Sequence, residues 1–495
     1  MMDFARLRLT FSEGTIAASD AMTLKRLIPI NMTNTTKWSS LDLDVHVQEK
    51  DVTELPFLNQ PTTRCERISN IDVLRGFALL GILMLNVQDF GTPEFAHDIP
   101  IGMPKPAFIG PHAHLHLLLV TLTWVFFEGK MRALFSMLFG AGILLMTSRA
   151  ERRGASSQIA DIYLRRNMWL TFFGFLHGCL IWDGDILFLY GLAGLLFMYP
   201  LRKLKARTLL FSGTVISLFF ATYGLFCYLG ATNDFSLAGQ ATAIAADKQA
   251  GRTLTPEQKA IEQQWNVRVD HNRITPARTA EAMKHAHANY MSSAQERLQT
   301  YIGPRAPLRI GAFLLEGVGA MLIGMGLYKT GFLIGDSSYT VYAWTAVIGF
   351  TSSAPLYIYG MLKASAQGFF FLDIEKWLYL PYYFTREAGA VAIAAVVMMI
   401  VKSGILRPLQ TACAAVGQTA LSNYLLTSIL CQFLFIWGPW KLYGKLEYYQ
   451  LLYVVIGVWA LNLTVSQIWL QWCAFGPFEW LWRSLTYMKA QPILR

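Results

Sequence analysis

Residues 71–90 read Ile-Asp-Val-Leu-Arg-Gly-Phe-Ala-Leu-Leu-Gly-Ile-Leu-Met-Leu-Asn-Val-Gln-Asp-Phe. Between Arg75 and Asn86 the run is wholly apolar or glycine, and polar groups close both ends. An α-helix needs about 20 such residues to cross the hydrocarbon core of a bilayer, because each advances the chain by only about 1.5 Å. The stretch therefore reads as a transmembrane helix. Stretches of the same kind recur near residues 133–148, 166–182, 185–201, 208–230, 308–328, 339–361, 386–402, 412–437 and 449–473. The expected fold is all-α, a polytopic membrane helix bundle of about ten transmembrane helices. Residues 115–128 precede the second span as an outer interfacial segment, set off by Glu128-Gly129-Lys130-Met131-Arg132.

Composition points the same way. Of 495 residues, 54% are hydrophobic and only 15% charged, too little charge to cover a soluble fold of this size. The 14 Trp and 21 Tyr suit the membrane–water boundary. A net charge of +10 raises the question of nucleic acid. The basic residues instead gather in short links between spans, and no nucleic-acid-binding motif accompanies them. The six cysteines (Cys65, Cys179, Cys227, Cys413, Cys431, Cys473) lack CxxC spacing, so neither a disulfide framework nor a structural zinc site is expected.

Lys and Arg also set the orientation. Clusters at 149–166, 202–207 and 402–407, with Arg483, Lys489 and Arg495, fall on one side if both termini are cytoplasmic. The chain then divides into a polar leader (1–66), an N-terminal transmembrane half with the candidate site (67–230), an extracytoplasmic helical insertion (231–307), a C-terminal transmembrane half (308–475) and a cytoplasmic tail (476–495). The leader has no apolar core of the secretory type. Thr255-Pro256 and Thr275-Pro276 are helix starts within the insertion, each a capping residue followed by proline.

Ionisable groups inside a bilayer are costly, so each asks for a reason. Arg67 and Arg75 bracket the start of the first span. Asp72 and Arg75, three apart, can simply pair, or the arginines can meet a phosphate-bearing ligand. His177, Asp183 and Asp185 fall around a short outer turn. A carboxylate beside an imidazole fixes its tautomer and raises its basicity, which suits a general base; Asp185 can equally cap the following helix. Asn86 closes the first span, where an amide can donate to an oxyanion or merely mark the helix end. His97, His112, His114 and His116 form a histidine-rich outer loop without ligand-spaced carboxylates or cysteines, so no metal is expected. His116 remains a candidate for proton transfer. Lys130 and Arg132 could hold an anionic acceptor. Glu316, inside a span, needs a partner or a cavity, and the glycines around it allow close helix packing. Asn423-Tyr424 would bond between helices.

Five stretches together resemble the YeiB-like family of bacterial inner-membrane proteins. They are Arg67-Ile-Ser-Asn-Ile-Asp-Val-Leu-Arg-Gly-Phe-Ala-Leu-Leu-Gly-Ile-Leu83, Gly129-Lys-Met-Arg-Ala-Leu-Phe-Ser-Met-Leu-Phe-Gly140, and Leu176-His177 with Trp182-Asp-Gly-Asp-Ile-Leu187. Gly417-Gln-Thr-Ala-Leu-Ser-Asn-Tyr-Leu-Leu426 and Phe475-Gly-Pro-Phe-Glu-Trp-Leu-Trp-Arg-Ser-Leu-Thr-Tyr487 complete the set, in order along the chain. The family is more distantly similar to transmembrane acyltransferases that include heparan-α-glucosaminide N-acetyltransferase. That resemblance implies acyl-CoA as a cytoplasmic donor co-substrate near Arg67 and Arg75, and an extracytoplasmic hydroxyl or amine acceptor. It also implies Asn86 as oxyanion donor, His116 or His177 as base, and Asp183 or Asp185 as the residue that orients it. The alternative expectation is a transporter or exporter of a small solute lined by the same charges. The lipid bilayer is the expected partner, nucleic acid is not, and homo-oligomerisation is left open.

Overall fold

The apolar spans do form helices, as they must where lipid offers the backbone no hydrogen-bond partner. The computed structural model describes residues 69–105, 107–152 and 158–495. The leader and Arg67 lie outside the described residues. The helices are α1 (Ser69–Gly91), α2 (Ala113–Phe126), α3 (Lys130–Arg152), α4 (Ile159–Leu180), α5 (Leu187–Leu201), α6 (Ala206–Gln249), α7 (Pro256–Asn272) and α8 (Pro276–Ala286). They continue as α9 (Tyr290–Ile302), α10 (Ala306–Lys329), α11 (Tyr339–Ala366), α12 (Phe371–Ser403), α13 (Arg407–Gln418), α14 (Ala420–Trp437), α15 (Tyr448–Trp472) and α16 (Pro477–Tyr487). No strand occurs among the described residues, only an isolated bridge between Cys473 and Leu494.

Among the described residues, seven stretches are long and apolar enough to cross a membrane: α1, the α2–α3 run, α6, α10, α12, α14 and α15. The protein is an integral membrane helix bundle. The other three expected spans are helical as well. α4 has 22 residues and α11 has 28, but α4 carries Asp161, Arg165, Arg166 and His177, and α11 carries Ser352, Ser353 and Pro355. α5 is apolar but shorter.

Three boundaries differ from expectation, the first being α12, which starts at Phe371, well before the expected 386. α6 runs unbroken for 44 residues, past the expected end of its span near 230, and stops just before Gly251, whose φ of 74° a helix cannot continue. The expected span 412–437 is two helices, broken at Thr419. The break frees the first amides of α14, and the Glu479 carboxylate accepts from the N–H groups of Leu421 (2.6 Å) and Ser422 (3.1 Å). A carboxylate at a helix N-terminus satisfies those amides and suits the helix dipole.

Small residues set the helix crossings. A side chain at Gly76 of α1 would strike the Cys413 carbonyl of α13, and one at Gly417 would strike the Asp72 carbonyl. Gly324 of α10 meets Met137 of α3 in the same way, and Gly140 of α3 meets Met321. Close backbone approach of this kind drives helix association where lipid removes the hydrophobic incentive. Large apolar side chains remain on the outside, including Phe211 and Phe226 of α6, Trp344 of α11 and Ile456 of α15. They suit a lipid-facing perimeter.

The insertion has both expected caps. Thr255 Oγ1 accepts from the Gln258 amide at 3.2 Å, and Thr275 Oγ1 from the Arg278 amide at 3.2 Å. Its last helix, α9, grips the end of α4. Tyr290 donates to the Leu180 carbonyl at 2.8 Å and Arg297 to the Cys179 carbonyl at 3.2 Å.

Candidate functional site

The bundle encloses two cavities at opposite ends of α1 and α3. The first, about 240 Å³, is lined by Asp72 and Arg75 from the start of α1, Arg149 from the end of α3, Arg166 from α4, and Trp482 and Arg483 from α16. Four arginines face one space. Arg75 donates to Asp72 Oδ1 at 2.9 Å, the expected pair, and also to the Gly417 carbonyl at 3.3 Å. The Arg166 guanidinium lies 3.6 Å from the Trp482 ring centre, and the Trp482 indole donates to the Arg166 carbonyl at 2.8 Å. The expected tail is thus a wall of this cavity.

The second cavity, about 270 Å³, is lined by Asn86 and Asp89 from the end of α1, Glu128 and Arg132 around the start of α3, and Asp183 and Asp185 after α4. Asp98, Thr300, Tyr301, Arg309 and Glu316 complete its polar surface, with Trp182, Phe188 and Phe313 as aromatic walls. Carboxylates outnumber cations here, the reverse of the first cavity. Tyr301 comes from the insertion, and its ring sits where any side chain at Gly178 would be. Asp98 takes φ 64° and is pinned there, Tyr379 donating to Oδ2 at 2.7 Å and the Trp124 indole to its carbonyl at 3.0 Å.

Asp185 of the second cavity and Tyr424 of the first belong to one buried polar cluster. His177 Nδ1 is 2.8 Å from Asp185 Oδ1, and Asp185 Oδ2 accepts from the Phe188 amide at 2.7 Å. Asp185 therefore both holds the imidazole and caps α5. The Tyr424 hydroxyl is 3.5 Å from Asp185 Oδ1, and its ring centre 5.1 Å from that of His177. His177 Nε2 is buried without a hydrogen-bond partner in the protein. Asp183 is exposed, and it is its carbonyl that receives Tyr301 (3.3 Å), so of the two aspartates it is Asp185 that reaches the imidazole.

Other candidates separate. His116, like His177, lines neither cavity, but it also has no carboxylate that does. Its Nδ1 is spent on the Ala107 carbonyl, and Nε2 stands 3.8 Å from Glu447 at the start of α15. Lys130, expected to meet an acceptor, is fully buried away from both cavities, donating to the Trp124 carbonyl at 2.8 Å with Nζ 4.0 Å from the Tyr357 ring centre. The turn at Gly129 (φ 66°) sends neighbouring side chains in different directions, leaving Arg132 in the acidic cavity. Arg132 reaches Glu316 at 2.9 Å, and Arg386 pairs with Glu316 from behind and with Glu387 at 2.8 Å. Asn423 keeps the interhelical role expected of it, bonding Ser466 at 2.8 Å. Its neighbour Tyr424 instead joins the candidate site. Sequence reasoning also passed over Arg166, Trp482, Arg483, Glu479 and Arg386. Only the matching stretch 475–487 hinted at some of them.

Comparison with known proteins gives a family but no activity. Residues 327–489 match a family described as a protein of unknown function, DUF418. The uncharacterised protein YeiB of Escherichia coli (strain K12) is 30% identical over 446 residues, 87% of this chain and 98% of that protein. The uncharacterised protein YxaH of Bacillus subtilis (strain 168) is 29% identical over 437 residues, 88% of this chain and 98% of its own length. No solved structure matches.

Proposed function

The chain belongs to the YeiB-like family, and on that premise we propose that it is a transmembrane acyltransferase of the bacterial inner membrane. It would move an acyl group from cytoplasmic acyl-CoA to a hydroxyl or amine of an extracytoplasmic acceptor. One observation carries the reading. Two cavities of opposite charge lie at opposite ends of α1 and α3, and Asp185, which lines the acidic one and holds His177, touches Tyr424, which lines the other.

The arginine-lined cavity suits a polyphosphorylated donor, since guanidinium groups match phosphate in charge and geometry. Arg75 is the first candidate there, joined by Arg149, Arg166 and Arg483, while Arg67 lies outside the described residues. In the acidic cavity the acceptor's oxygen or nitrogen attacks the thioester carbonyl. The new C–O or C–N bond forms as the C–S bond breaks. His177 Nε2 takes the acceptor's proton and returns it to the departing thiolate, while Asp185 holds Nδ1 and stabilises the imidazolium. Asn86 is the candidate oxyanion donor, and Arg132 with Glu316 shapes the acceptor's side. Lys130 has no part in this scheme.

Thiol release from acetyl-CoA by purified protein, with amines and alcohols offered as acceptors, tests the reading. The expected result is acceptor-stimulated release that His177→Ala abolishes and His116→Ala leaves intact. Release by no acyl-CoA with any acceptor, in folded protein, would overturn it. A small-solute transporter is the second reading, favoured by the same opposed cavities, which resemble vestibules on either side of an occluded midplane.

A further inference from the structure

The lining of the two cavities has one residue in common, Tyr190 of α5. A single side chain therefore touches both spaces. Tyr190 is 4% exposed and tightly held. Its hydroxyl is 2.6 Å from Ser136 Oγ of α3, and its ring centre lies 5.2 Å from Phe139 and 6.0 Å from Phe135. Ser136 in turn donates to the Arg132 carbonyl at 2.9 Å, which links the partition to the acidic cavity's ion pair. The bond to Ser136 fixes one end of the phenol and the two phenylalanines fix its plane.

We infer that Tyr190 is the selectivity barrier between the two cavities. Its ring admits a slim, apolar acyl end and excludes a hydrated polyol as well as an anion. Charge reinforces that limit: a polyanion attracted to Arg75 and Arg166 would meet the carboxylates of Asp98 and Asp183 beyond the barrier. Joined to the acyltransferase reading, on which this consequence rests, the barrier keeps the nucleotide part of the donor on the arginine side. It lets through only the acyl end, and so it sets acyl-chain length. Tyr190 would act by position and volume, without taking part in the proton transfer.

The test uses full-length protein in sealed vesicles, comparing wild type, Tyr190→Phe and Tyr190→Ala. Erythritol efflux, followed by light scattering, reads the barrier without any need for acyl transfer. Wild type and Tyr190→Phe should match protein-free vesicles, because the ring remains, and Tyr190→Ala should release erythritol about tenfold faster. In parallel, acetyl-, butyryl- and hexanoyl-CoA are compared as donors. Tyr190→Ala should raise the longer donors relative to acetyl by about tenfold, the scale on which an apolar site discriminates methylenes. Efflux unchanged in Tyr190→Ala overturns the barrier. Where Tyr190→Ala does not fold, Tyr190→Leu replaces it with the same two expectations. A wild type that transfers no acyl group would retire the acyltransferase reading, while efflux still decides on Tyr190. Faster efflux with an unaltered donor profile would refute the chain-length role.

Discussion

His116 and His177 are alike by every local measure. Each is 2% exposed, sits on a helix near the end of the bundle that carries the insertion, has a carboxylate within reach and keeps a buried Nε2 without a hydrogen-bond partner. Their surroundings part them. The carboxylate of His177 is at 2.8 Å on Nδ1, is itself fixed by the Phe188 amide, and lines the acidic cavity. His116 gives Nδ1 to a backbone carbonyl, and its carboxylate, Glu447, is already engaged with His112 at 2.9 Å and caps α15. An imidazole is a good base when its other nitrogen is held by a carboxylate and its free nitrogen meets substrate. The carboxylate on Nδ1 makes His177 the candidate base of the proposed transfer, while His116 packs among Tyr448 and Tyr449.

The contrast breaks most sharply at His177→Ala, which should lower turnover roughly a thousandfold or more, measured as acceptor-dependent thiol release. Asp185→Asn should cost about a hundredfold in the same assay, because the amide no longer stabilises the imidazolium although its shape is kept. It also keeps an acceptor for the Phe188 amide, so folding should survive, and thermal unfolding in detergent checks that. On the other side, Glu447→Ala should lower stability by about 1 kcal/mol through the lost cap of α15, with turnover unchanged. The smallest effect is expected of His116→Ala, within about threefold of wild type, far below the range of a general base. A large loss there would exchange the roles of the two histidines.

The helices were legible because membrane crossing imposes one rule, a long apolar run, that is local in sequence. The capped starts at Thr255 and Thr275 were legible for the same reason: cap and amide lie three residues apart. His177 and Asp185, eight residues apart across a turn, were still within reach of that reasoning. Tyr424 was not. It meets Asp185 across 239 positions, and nothing local separates it from Asn423, which does no more than tie two helices together. The break at Thr419 depends on Glu479, nearly 60 residues on, so an unbroken span was the natural reading of 412–437. Lys130 and Arg132 show the opposite failure. They are adjacent enough to look like one anion site, yet the turn at Gly129 and the helix that follows send one to Tyr357 and the other to Glu316.

Calorimetry of acetyl-CoA binding to purified protein asks whether the arginine-lined cavity receives an acyl-CoA, as proposed. Arg75→Ala and Arg166→Ala are the comparisons, with longer acyl-CoAs as further ligands. Wild type should bind saturably, and either substitution should weaken binding about tenfold or more, as expected for loss of a charge-assisted contact to phosphate. Folded wild-type protein that binds no acyl-CoA, or binds it equally well without either arginine, would contradict the proposal.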